Sequence, residues 1–148
     1  MPEQDNNIDK ILSRLEESEK YWNNTIENLS GKLVCSAKDV IPLQAEIISV
    51  RQELSEQIKR MSYEIFKIVS KIKVLRKQSF EWYSTKYQIV ITGTEKAKLI
   101  EWDLHHSDHQ KSILDNHVEF LRDTLKNIDN LNYAVKNKIT LYQLTDLD

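Results

Sequence analysis

Apolar residues recur along this chain at spacings of three and four, and one register is far longer than the others. Val40, Ile47, Leu54, Met61, Ile68, Leu75 and Trp82 stand seven apart without a miss, joined by Leu43 and Val50 early and by Ile58, Ile65 and Ile72 later. A stripe with that repeat runs along one side of an α-helix and needs a facing surface to cover it. Asp39 can cap the start, and Pro42 falls within the first turn, where its missing N–H costs nothing. A helix from Val40 to Trp82 is roughly 64 Å long at about 1.5 Å per residue. A compact globule of this chain length is only about 40 Å across. The pattern therefore predicts an elongated molecule, or a hairpin of long helices, whose apolar stripe another chain covers.

Two weaker registers flank it. Ile8, Leu15, Trp22 and Leu29 are spaced by sevens with Ile11, Leu12 and Ile26 beside them; Asp5, Asn6 and Asn7 offer an N-cap, and Ser30-Gly31 a stop. Ser18 and Thr25 interrupt this seam, so the short helix is expected to pack loosely. Residues 83–94, YSTKYQIVITGT, break the periodicity and read as a loop with a short extended piece. A few helical turns follow from Thr94 through Leu99, Ile100 and Trp102, and the pattern lapses around His105 to Ser107. A last helix restarts at Ser107 or Asp108. Its seam of Leu114, Val118, Leu121, Leu125, Ile128, Val135 and Ile139, widened by Ile113, Phe120, Leu131 and Ala134, is expected to join several copies of the chain. Asn132 takes a seam position of the kind that sets register. The expected fold is all-α and elongated, in three segments: an amphipathic extension over 1–36, a long basic helix with an aromatic loop over 37–106, and an oligomerisation helix over 107–148.

Composition narrows the chemistry. Only two glycines and two prolines occur in 148 residues, too few for the turns of barrels, hairpins or βα units. Gly31 and Gly93 stand alone, so neither a dinucleotide fingerprint nor a phosphate-cradling loop exists. No apolar run approaches the roughly 20 residues of a membrane span. The start MPEQDNNIDK lacks the basic and apolar regions of a secretory signal, and the expected location is the cytoplasm. Cys35 is the only cysteine, which excludes an internal disulfide and a thiolate metal cage; it reads as a small core residue. His105, His106, His109 and His117 cluster, with His105 and His109 four apart, but no zinc motif is completed around them. No enzyme, cofactor or metal is expected.

Charge changes the picture more. The formal net charge of −2 hides three blocks: residues 1–58 carry −5, residues 59–98 carry +7, and residues 99–148 carry −4. Lys59, Arg60, Lys67, Lys71, Lys73, Arg76 and Lys77 are interrupted by one acid, Glu64. A long basic stripe on an acidic chain suits an anionic polymer, while the bland alternative is a solvated face paired with an acidic helix. Aromatics follow directly: Phe80, Trp82, Tyr83 and Tyr87, with Lys86 among them. Single-stranded nucleic acid is held by cations on phosphates and by bases stacked on rings. Phe80 and Trp82 can instead close the helix seam as core. The candidate binding residues are Lys67, Lys71, Lys73, Arg76, Lys77, Tyr83, Lys86 and Tyr87.

At this junction the chain resembles the UvsY recombination mediator family of tailed bacteriophages. Lys77-Gln78-Ser79-Phe80-Glu81-Trp82-Tyr83-Ser84 is similar to the family's basic motif, and Phe120, Leu125, Ile128 and Tyr133-Ala134-Val135-Lys136 are similar to its carboxy-terminal segment. The resemblance covers about residues 37–143. It implies an accessory protein that binds single-stranded DNA and assembles as a hexameric or heptameric ring through the carboxy-terminal helix. Such a protein helps a RecA-like recombinase displace the single-strand-binding protein. Lys77 matches the family's DNA-binding lysine; Ser79 stands where the family has an arginine, with Arg76 and Lys73 nearby to supply charge. The competing reading is a prefoldin-like chaperone or coiled-coil adaptor, with two long helices packed on each other and no affinity for DNA. A third, a helical metalloenzyme using the histidines, predicts stoichiometric zinc.

Overall fold

The computed structural model describes residues 2–146, with side chains from 7 to 145, and consists of three helices: α1 (Pro2–Gly31), α2 (Val40–Thr85) and α3 (Gly93–Asp146). At about 1.5 Å per residue α3 is roughly 80 Å long, so the molecule is elongated. Side-chain pairs give the directions. Tyr21 donates to Glu53 at 2.8 Å and Arg14 to Glu64 at 3.2 Å, so α1 and α2 are antiparallel. Arg51 pairs with Asp129 at 2.6 Å and Arg76 with Glu101, so α2 and α3 are antiparallel too. His117 meets Ser18, and the Tyr142 hydroxyl donates to the Cys35 carbonyl at 2.7 Å, so α1 and α3 run parallel. The chain is an up-down-up bundle in which α2 and α3 form the long hairpin and α1 lies alongside.

One core runs along the bundle and draws on all three helices: Leu15, Trp22 and Leu29; Ile47, Leu54 and Met61; Leu114, Leu121, Ile128 and Val135. This core takes residues from each of the three expected segments. Burying each such side chain contributes about 1.5–3 kcal/mol. The heptads of α1 are better used than their polar interruptions suggested, since Trp22 is fully buried.

The carboxy-terminal seam is covered within the chain itself. Leu114, Val118, Leu121, Ile128 and Val135 are all buried, with Leu125 and Ile139 half-buried against the same core, by the chain's own α1 and α2. A heptad seam states only that a facing helix is needed, and here the facing helices belong to the same molecule. Asn132 lies on this intramolecular seam, its Oδ1 buried without a partner.

Element ends differ from the sequence expectation in three places. α1 starts at Pro2, so Asp5, Asn6 and Asn7 lie inside the helix and not at its cap. Asp39 does precede α2, but its carboxylate accepts from the Ser36 hydroxyl at 3.0 Å and makes no cap bond. The connection between α2 and α3 shrinks to residues 86–92, with no strand among the described residues. α3 starts there on a capping box: the Glu95 N–H donates to Thr92 Oγ1 at 3.2 Å, and the Thr92 N–H donates to Glu95 Oε2 at 2.9 Å.

The expected gap around His105 to Ser107 is also absent, because α3 is continuous. Its seam runs on from Ile100 and Leu104 through Ser107 and Gln110 to Leu114, and the middle pair is buried although polar. A polar layer inside a seam looks like a break when only apolar residues are counted. A second polar layer spans all three helices. Trp22 Nε1 donates to Gln57 Oε1 at 2.9 Å, Gln57 Nε2 donates to Ser18 Oγ at 3.0 Å, and Ser18 Oγ lies 3.2 Å from His117 Nε2.

Candidate nucleic-acid interface

The hairpin ends in a small core of its own, Ile72, Ile100 and Leu104, with Ile68, Leu75 and Tyr83 packed on it. This cluster holds the last turns of α2 against the first turns of α3, so groups on either helix keep fixed relative positions. Between residues 67 and 98 there are eight basic residues against two acidic ones, Glu81 and Glu95. The basic residues come from both helices, because Lys96 and Lys98 on α3 join those on α2.

The sequence-predicted cations do not share one face. Lys73, Arg76 and Lys77 line one groove with Phe80 on α2 and Ala97, Ile100 and Glu101 on α3. Lys67 and Lys71 lie about 120–160° further round the helix at 3.6 residues per turn. Lys67 covers the ring of Tyr63 at 4.6 Å. Arg76 is ion-paired to Glu101, both half-exposed, so the pair orients the guanidinium more than it stabilises the fold. Lys86 lies just past the end of α2, in the connection.

Three rings gather beside that connection. Trp82 and Tyr83 have centroids 5.1 Å apart, Trp82 and Tyr87 5.2 Å, and Tyr83 and Tyr87 5.1 Å. Their exposure inverts the sequence expectation. Trp82, at the heptad position, is 46% exposed, while Tyr83 is half-buried on the small core. A straight helix drifts by about 20° per heptad against a strict sevenfold repeat. After the six heptads from Val40 the next residue has rotated into the seam. Burial first, then the Asp103 carboxylate, pushes the Tyr83 hydroxyl above the usual tyrosine range, which keeps it neutral. Trp82 therefore offers the more exposed ring, packed by Tyr83 and Tyr87, on the side of α2 opposite Lys73.

Residues not singled out as binding candidates complete the tip. Phe80 is 54% exposed, and Lys96 Nζ lies 4.9 Å over its ring while donating to Ser84 Oγ at 3.1 Å. Lys98 and Trp102 stand one and two turns into α3. Lys96 and Lys98 were visible in the charge count, but their position beside α2 depends on the hairpin. The histidines separate: His117 is buried in the polar layer, while His105 lies on the outer face of α3 with His109 a turn further on. Among the described residues no three His, Cys, Asp or Glu side chains converge to hold a metal. Cys35 is half-buried on the core, with no pairing partner among the described residues. No described helix is long and apolar enough to cross a membrane. Comparison with family models, characterised proteins and solved structures finds no match to this chain.

Proposed function

We propose that this chain is a non-enzymatic accessory protein that binds single-stranded DNA at the free end of its helical hairpin. The observation that carries the reading is the gathering, at one end of the hairpin, of cations from both helices beside the exposed ring of Phe80. Phosphates would lie along Lys73, Arg76, Lys77 and Lys86, and bases would stack on Phe80, with little sequence preference. Within the resemblance to the UvsY family, the partners are a RecA-like recombinase and a single-strand-binding protein, and the role is to help the first displace the second. A ring of subunits would then draw on surface that the intramolecular packing of the terminal seam leaves exposed.

The test is a titration of labelled oligo(dT) at two salt concentrations. We expect affinity that falls steeply with salt, and a loss of about tenfold or more with a shallower slope when Lys73, Arg76 and Lys77 are replaced by Ala. Wild-type protein that ignores oligo(dT) in dilute buffer removes the proposal. The length over which α2 and α3 pack on each other favours a second reading, a hairpin scaffold or chaperone. That role predicts no affinity for DNA at either salt concentration.

A further inference from the structure

We propose that Trp102, His105 and His109 form a second base-stacking track along α3, continuous with the cationic groove, so that an unpaired DNA strand runs from the tip down this face. The inference rests on the DNA-binding reading above and deepens it. Positions 102, 105 and 109 follow helical spacings of three and four, which place side chains one above another on the same face. Their rings lie nearly parallel: Trp102 and His105 have centroids 5.9 Å apart at 13°, and His105 and His109 are 6.3 Å apart at 17°. Trp102 is 76% exposed, most of its indole left in water although His105 lies against one side.

Charge and continuity argue for the occupant. The groove beside Trp102 and His105 also contains Lys98, and it shares Ala97 and Glu101 with the groove of Lys73, Arg76 and Lys77. The acid that separates them, Glu101, is already paired with Arg76. The remaining cations rim a mostly apolar trough of about 480 Å³ floored by Ala97 and Ile100. A strand with a phosphate on one side and a flat π-surface on the other matches such a trough, whereas an acidic peptide offers charge without rings to stack. The two histidines present parallel rings along the track, and among the described residues no third ligand converges on them.

The experiment compares Trp102→Ala with wild type on oligo(dT) and on an abasic strand of equal length, at fixed salt. Each base–aromatic stack changes affinity by about 5- to 140-fold. We expect Trp102→Ala to bind oligo(dT) about tenfold more weakly, to bind the abasic strand as wild type does, and to keep the wild-type salt slope. Trp102→Phe, which retains a ring, should recover most of the loss. Unchanged oligo(dT) affinity in Trp102→Ala overturns the track and leaves the tip reading standing, as does an equal loss on both strands. Wild type that binds neither strand removes the tip reading together with the track. Far-ultraviolet circular dichroism checks that the exposed substitution leaves the helices intact.

Discussion

At His117 the chain places an ionisable ring where protonation is costly. Nε2 lies near Ser18 Oγ and Nδ1 is buried with no partner, so a charged imidazolium would bury an unpaired N–H. Burial lowers its pKa below the ordinary histidine value; Glu19 opposes this and Arg14 reinforces it. A depressed folded pKa means that the unfolded chain binds more protons. The ring's contribution is therefore intact above the unfolded pKa of about 6.5 and is lost as pH falls towards the folded value. We expect thermal stability to drop from pH 7 to pH 5 more in wild type than in His117→Gln. Parallel pH profiles for the two would show that the ring does not titrate in this way. The residue was visible as one of four clustered histidines, but its separation from the rest depends on Ser18, which is 99 positions away.

At the scale of an element, α3 shows what counting apolar residues misses. Ser107 and Gln110 occupy seam positions as a buried polar layer, and the helix passes through them without interruption. Its true start is marked by Thr92 and Glu95, a capping box whose spacing is plain in the sequence beside a β-branched run that reads as extended. Thr92→Ala should cost about 1 kcal/mol. The loss should show as faster amide exchange in the first turns of α3, with the rest of the bundle unchanged. Equal exchange in both proteins would mean that the box does not hold that end. The end of α2 has the opposite lesson. Its heptad register was legible to Leu75, but the gradual rotation of a long helix decides that Tyr83, and not Trp82, meets the core.

For the whole molecule the decisive fact is that the terminal seam lies inside. Leu121 is fully buried between the chain's own helices, so Leu121→Asp should cost about 4 kcal/mol or more and melt the bundle itself. That is a large part of a typical stability of about 5–15 kcal/mol. Circular dichroism melts run beside light scattering distinguish the cases. A variant that stays cooperatively folded while falling into smaller species would return the seam to assembly. The basic groove belongs to the same scale, because Lys73, Arg76 and Lys77 of α2 meet Ala97, Ile100 and Glu101 of α3 only when the hairpin closes.

From its sequence alone this protein is helical and elongated, with a cationic, aromatic stretch near residue 80, since periodicity, scarce glycine and charge order are local properties of the chain. Which surfaces cover the apolar stripes was settled only by tertiary structure. A heptad seam specifies the shape of its partner and not whether that partner is another copy or the same chain folded back. The seven residues between α2 and α3 allow the second arrangement, and the long antiparallel hairpin takes it. Folding back also sets the groove of Lys98 and Trp102 next to that of Lys73 and Arg76, with Ala97 and Glu101 common to both, a neighbourhood no run of consecutive residues could reveal.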